Sequence, residues 1–217
     1  MGSNVFDLSG KCAAVVGCGG LGTNIAVHLA GMGIGKLILI DFDTVEISNL
    51  NRQFLYTPAD VGGEKCRLLA ARLCAYTPDC TVICHSQKVT CANDLSAAAE
   101  ADILLSAVDS NAARRVLNDF CTQKKKPLVS GGVNALFGTV YLYVPDRSVD
   151  LERAGLLDTE NGKITAVSST VGVIGALQAQ LAAKCLSGDV SVAGRLYIFD
   201  REEIQSIQIR YKERGMR

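Results

Sequence analysis

The feature that most constrains the fold is Gly17-Cys18-Gly19-Gly20-Leu21-Gly22, set between a short β-branched run and an apolar-periodic stretch. A G-x-G-x-x-G at a strand-to-helix junction makes a tight turn. It lets backbone N–H groups approach a phosphate at the helix N-terminus. Residues 11–16 therefore read as a first strand and residues 21–32 as the helix that follows. Residues 36–40 are a second buried strand ending at Asp41, an acid 19 residues after Gly22. That is the position at which a carboxylate takes ribose hydroxyls.

The rest of the chain repeats this alternation. Strands are expected at 81–86, 103–107, 128–130 and 138–144, and helices at 64–76 and 111–123. A helix at 171–186 and two last strands at 195–199 and 204–210 complete the set. The order predicts an α/β fold: a doubly wound, Rossmann-like, mostly parallel sheet with antiparallel additions on the C-terminal side. Residues 44–60 are polar and read as an excursion from the core. Residues 146–163 carry eight charged side chains and read as a surface crossover, extending to about 170. With no internal repeat and no flexible linker, residues 1–217 form a single domain.

Composition narrows the function classes. The chain has 22 Lys+Arg against 22 Asp+Glu, so nothing in its balance suits a DNA binder working through bulk positive charge. The lysine run at 124–126 sits at a helix C-terminus, where cations favour the macrodipole. Residues 12–35 lack Asp, Glu, Lys and Arg, but seven glycines interrupt them, so no membrane span is expected there. Nine cysteines are an odd number, and no basic-then-apolar leader precedes the first strand; a reducing cytoplasm is the expected location. Cys12, Cys18, Cys66, Cys74 and Cys121 fall in apolar segments and read as small hydrophobes. Cys80, Cys84, His85 and Cys91 cluster in sequence without a C-x-x-C pair, a poor match to a tetrahedral zinc site.

The glycine turn alone would suggest NAD. The run from Asp41 through Asp43, Ser48, Asn49, Arg52 and Gln53 argues otherwise, because Lys65 follows near a helix start and Asp109 closes the fourth strand. All lie toward the carboxyl edge, where an open α/β sheet binds its ligand. Hydride transfer has no need of two cations and a further carboxylate beside phosphates. Cleaving the α–β phosphate bond of ATP does. The competing reading makes Arg52 and Asp43 a surface ion pair and Lys65 a solvated helix residue.

These residues resemble the ThiF/MoeB/HesA group, related to ubiquitin-activating enzymes. The likeness runs from about Leu8 to Arg210. It rests on residues 17–22 and 41–53, on Lys65, on Asp109-Ser110-Asn111-Ala112-Ala113-Arg114, on Pro127-Leu128-Val129-Ser130-Gly131, and on residues 172–179. The resemblance implies an adenylyltransferase that uses ATP and Mg2+ to activate the C-terminal glycine of a ubiquitin-like sulfur carrier ending in Gly-Gly, for thiamine or molybdopterin synthesis. It implies a homodimer. It also implies that Gly20, Asp41, Ser48, Asn49, Arg52, Lys65 and Asp109 contact Mg-ATP. Gly17, Gly19, Gly22, Asp43, Gln53 and Ser110 complete the candidate set. Arg52 and Lys65 would be the catalytic cations and Asp109 the magnesium ligand.

Three departures from the group qualify this. The paired zinc cysteines are missing, so no structural zinc is expected. No cysteine lies in 146–170 to carry an acyl-sulfur link, and no arginine precedes the first strand to reach a partner subunit's ATP. Two alternatives follow: a related tRNA-modifying dehydratase that adenylates a nucleoside carboxylate, or a non-catalytic nucleotide-binding partner subunit.

Overall fold

In the computed structural model, described here for residues 5–157 and 165–210, eight strands form one sheet in the order β3-β2-β1-β4-β5-β6-β7-β8. The strands are β1 (Cys12–Val16), β2 (Lys36–Ile40), β3 (Thr81–His85), β4 (Ile103–Ser106), β5 (Leu128–Asn134), β6 (Phe137–Tyr143), β7 (Arg195–Asp200) and β8 (Glu203–Gln208). The first five are parallel, and β5 to β8 are joined antiparallel. The α/β class, the mostly parallel sheet and its antiparallel C-terminal additions match the sequence expectation.

Strand alternation explains why both faces are covered. Along β1 and β2, Ala13, Val15, Leu37 and Leu39 point into one apolar cluster, while Ala14, Val16, Ile38 and Ile40 point into the other. Strands buried on both faces read as continuous apolar runs, as these do. The first cluster is closed by α1 (Gly20–Gly31), α2 (Lys65–Tyr76) and α4 (Ser168–Leu186). The second is closed by α3 (Asn111–Lys124) and by Leu95 and Ala98 of a 3-10 helix at Ala92–Glu100.

That 3-10 segment is absent from the sequence expectation because its alanines give no strong period. It is held by Asp94, which accepts from Thr90 N at 2.8 Å, Thr90 Oγ1 at 2.8 Å and Cys91 N at 3.0 Å. The polar excursion is likewise no α-helix, but it contains two 3-10 turns, Ile47–Asn49 and Pro58–Asp60. Strand β5 runs to Asn134, beyond the expected 130, because β6 pairs along its whole length. Leu151 and Leu157 anchor the start of the crossover in the second cluster; residues 158–164 of it lie outside the described residues. Of the lysine run, Lys125 is the left-handed C-cap of α3, and Lys126 Nζ donates to Ala101 O at 2.6 Å. Among the described residues no helix is long and apolar enough to cross a membrane.

The order places β1 and β4 side by side, with β2 on one flank and β5 on the other. Chain direction away from the sheet reverses between them. Ligands of such sheets bind outside the carboxyl ends at that switch point.

Candidate nucleotide site

The glycine turn occupies that switch point. Gly17 has φ +98°, and a Cβ there would lie 2.6 Å from Ala107 O, so only glycine joins β1 to α1 with β4 this close. A Cβ on Gly22 would overlap Gly17 O and approach the Ala107 side chain. Gly19 is the N-cap of α1 and supplies no side-chain cap. The first N–H groups of the helix are therefore left for a ligand, with the helix dipole favouring an anion.

Asp41 leaves the end of β2 nearly buried, at 8% exposure. One carboxylate oxygen accepts from Cys18 N in the glycine turn, and the other accepts from Asp43 N at 2.7 Å. Burial pushes its carboxyl above the ordinary carboxylate range, while these backbone N–H groups and the Lys65 charge oppose the rise. Both oxygens of this acid are thus engaged, one of them by the glycine turn.

Lys65 begins α2, and its side chain is 7% exposed. Its ammonium lies 3.1 Å from Asp43 Oδ2. The two are thus paired with each other. The expected alternative, an Arg52–Asp43 surface pair with Lys65 in solvent, is not what the fold builds. Burying an ammonium is costly without a partner, and Asp43 is that partner.

Arg52 meets the turn through its backbone: a Cβ on Gly20 would lie 3.3 Å from Arg52 O. Its guanidinium turns back to donate to Ser48 O at 3.1 Å and Asn51 Oδ1 at 2.9 Å. Ser48 donates to Glu46 at 3.2 Å, and buried Asn49 closes the same turn by accepting from Glu46 N at 3.3 Å. Gln53 is 3% exposed, with Oε1 lacking a hydrogen-bond partner and Nε2 3.4 Å from where a Cβ on Gly19 would sit. An unpartnered buried amide oxygen beside an uncapped helix N-terminus marks a place prepared for a polar ligand.

Asp109 lies two residues after Ala107, the residue abutting Gly17 and Gly22, and is exposed. Ser110 has gone to a structural duty: it is the N-cap of α3 and accepts from Ala113 N at 3.2 Å. Arg114, on the first turn of α3, folds back so that its guanidinium donates to Val108 O at 3.3 Å. Burial pushes Arg114 below its ordinary value, and the charge of Asp109 opposes that.

Two residues absent from the candidate site set hold the site together. Tyr56, 4% exposed, donates from Oη to Cys18 O at 2.8 Å and also lies 3.2 Å from Lys65 O, so one hydroxyl bridges the glycine turn and the start of α2. Gln178 on α4, fully buried, donates to Ser106 O at 3.0 Å and fixes the end of β4. Tyr56 belongs to none of the runs that carry the family likeness, whereas Gln178 lies within residues 172–179. The apolar setting of Tyr56 among polar neighbours is the only signal the sequence offers.

Comparisons with known proteins accord with this geometry. A sequence model of the ThiF family matches residues 7–216. The sulfur carrier protein ThiS adenylyltransferase of Escherichia coli K12 is 34% identical over 196 residues, spanning 88% of this chain and 78% of that protein. The adenylyltransferase and sulfurtransferase MOCS3 of Drosophila grimshawi is 37% identical over 223 residues, covering 96% of this chain and 48% of its own length. Among solved structures, E. coli MccB with MccA-N7isoASN superposes with a TM-score of 0.84 at 26% identity, over 93% of this chain and 65% of that one. E. coli MccB with ATP gives 0.81 at 26% identity, over 93% and 64%. The chain spans about half the length of the MOCS3 relatives and just under two thirds of the MccB chains.

Proposed function

The chain belongs to the ThiF family, and on that footing we propose that it is an ATP-dependent adenylyltransferase activating the C-terminal glycine carboxylate of a ubiquitin-like sulfur carrier. The observation that carries the reading is the convergence of one edge: an uncapped α1 N-terminus, Asp41 bonded to the turn, the buried Lys65–Asp43 pair, and unpartnered Gln53 Oε1.

A peptide C-terminus has a pKa of about 3.3–3.7, so at neutral pH the carboxylate is already a nucleophile and needs no general base. Its oxygen attacks the α-phosphorus of ATP, the bond to the β-phosphate oxygen breaks, and pyrophosphate leaves. The obstacle is two anions meeting. In this reading Lys65 exchanges Asp43 for phosphate oxygens, while the N–H groups of residues 19–22 hold the phosphate chain. Arg52 supplies a second cation once its guanidinium leaves Ser48 O. Asp41 takes the ribose hydroxyls. The exposed carboxylate of Asp109, a hard oxygen donor, fits magnesium, which supplies charge neutralisation for the phosphates when bound. Cations brought against the phosphates offset the charge that develops as pyrophosphate leaves.

The assignment extends to a homodimer working in the cytoplasm, with thiamine or molybdopterin synthesis as the pathway class. Pyrophosphate exchange with a panel of carriers ending in Gly-Gly tests it: exchange that depends on one of them supports the reading. ATP binding with no exchange for any carrier contradicts it. The MccB likeness favours a second reading, in which the partner is a polypeptide other than a sulfur carrier; exchange driven by such a chain and by no carrier would establish it. A tRNA substrate requires filter binding at physiological salt, which the neutral charge balance disfavours.

A further inference from the structure

The first turn of α4 stands beside the first turn of α1. A Cβ on Gly20 would lie 2.8 Å from Val171 Cγ1, and one on Gly175 would lie 2.5 Å from Asn24 Cβ and 3.2 Å from Leu21 O. These contacts advance together along the two helices, so α1 and α4 run parallel and their N-termini meet at the same sheet edge. The chain entering α4 is fixed as well. Ala135, between β5 and β6, donates from N to Thr165 O at 2.5 Å and forms a parallel bridge with Ala166.

This second N-terminus is uncapped. Its N-cap is Val167, which has no polar side chain, so the helix offers no partner to the N–H groups of Ser168, Ser169 and Thr170. Thr170 is 1% exposed, yet its Oγ1 has no hydrogen-bond partner. Thr23, near the start of α1, commits its hydroxyl to Gly19 O and Gly20 O at 2.9 Å and 3.0 Å; Thr170 makes no such bond. Cα–Cβ bonds of a helix tilt toward its N-terminus, which directs the Thr170 hydroxyl toward those free N–H groups. Buried donors gathered at one helix end are satisfied by an anion.

We propose that the α4 N-terminus seats the terminal carboxylate of the polypeptide that the protein adenylates, with Thr170 Oγ1 as its side-chain donor. This rests on the adenylation reading above and adds the place where the nucleophile is held. The sheet order puts Asp41, at the end of β2, on one flank of the glycine turn, and β5 and β6 on the other. Helix α4 covers that second flank: a Cβ on Gly131 would strike the Gln178 side chain, and one on Gly138 would strike Ile174. The carboxylate therefore sits across the turn from the ribose acid, with the N–H groups of α1 between them.

The donor set suits a carboxylate better than the end of a triphosphate. Residues Ser168–Val171 carry no charge, whereas the phosphates are matched by Lys65 and Arg52. Neutral N–H and O–H donors favour the ionised form of a carboxylate, which keeps the nucleophile ready at neutral pH. Ser168 and Ser169 are exposed, so a chain end reaches this turn from solvent.

The test follows the backbone amide resonances of Ser168, Ser169 and Thr170 in the 15N-labelled full chain, saturated with magnesium and α,β-methylene ATP. The probe is N-acetyl-Gly-Gly with a free carboxyl, titrated against the same dipeptide amidated at its C-terminus. The expected result is a saturable shift of these amides with the carboxylate and none with the amide. T170V should weaken dipeptide binding about tenfold and T170S should restore it to within about twofold, with nucleotide affinity unchanged in both. Because Thr170 Oγ1 bonds nothing in the free protein, T170V should not lower the thermal midpoint. An equal response to the amide, no response at these residues, or wild-type dipeptide affinity in T170V would overturn the proposal. So would the same shifts on adding the nucleotide alone, which would make the turn a phosphate subsite. The dipeptide is no carrier, so this outcome is separate from whether any Gly-Gly carrier drives pyrophosphate exchange.

Discussion

The Lys65 ammonium lies 3.1 Å from the Asp43 carboxylate, with the lysine side chain 7% exposed and the aspartate 48% exposed. This asymmetry gives the two residues different roles. Burying an ammonium at that depth is costly without an anion beside it, and Asp43 supplies one from a position that solvent still reaches. Replacing Asp43 by a phosphate oxygen exchanges one anion for another, so recruiting Lys65 to ATP carries a small electrostatic cost. Lys65→Met should lower turnover in pyrophosphate exchange by roughly 10²–10³. Asp43→Asn should change it by less than about tenfold, since half-exposed pairs contribute little. Steady-state rates of the two variants side by side check this ordering.

Asp109 should separate catalysis from folding. It is exposed, and its removal opens no cavity. Asp109→Ala is expected to leave the denaturation midpoint within the range of ordinary surface substitutions, about ±0.5 kcal/mol, while abolishing magnesium-dependent exchange. Near-normal exchange in this variant would place the magnesium elsewhere.

Tyr56→Phe removes the hydroxyl that spans Cys18 O and Lys65 O, at 2.8 Å and 3.2 Å, and nothing else. Two buried carbonyls then lose a donor between them. The expected loss is about 1–3 kcal/mol of stability by urea denaturation. Weaker Mg-ATP binding is also expected, because the glycine turn and α2 are no longer tied together.

Much of this site was legible in order along the chain, and the reason is local. The glycine turn, the acid ending β2 and the lysine opening α2 are each placed by neighbours a few residues away, so strand, turn and helix rules locate them. What escaped depends on distant pairings. Tyr56 reaches Cys18 across 38 residues, Gln178 reaches Ser106 across 72, and Lys65 finds Asp43 across 22. Ser110, a ligand candidate by its motif, is used as a helix cap. The 3-10 segment Ala92–Glu100 escaped because a single capping aspartate, with no periodic pattern, holds it.

That aspartate yields a pH prediction. Hydrogen bonds from Thr90 and Cys91 hold the Asp94 carboxyl down at about 2, below its ordinary 3.8. The unfolded chain therefore binds more protons than the folded one between those values, and stability rises with pH across that window. The contribution is complete above the ordinary value and is lost as pH falls through about 2. Thermal midpoints of wild type and Asp94→Ala should differ by a constant amount near neutrality and converge as pH falls from about 4 to about 2. A gap that persists unchanged at the acid end would contradict the assignment.

The most direct test of the central claim is carrier-dependent exchange of pyrophosphate into ATP with the C-terminus itself as the variable. A ubiquitin-like carrier ending in Gly-Gly is supplied with either a free or an amidated terminal carboxyl, together with Mg-ATP. The account predicts exchange with the free carboxylate and none with the amide, because only the former has the oxygen that attacks the α-phosphorus. Equal exchange with both termini, or none with either while Mg-ATP still binds, would contradict it.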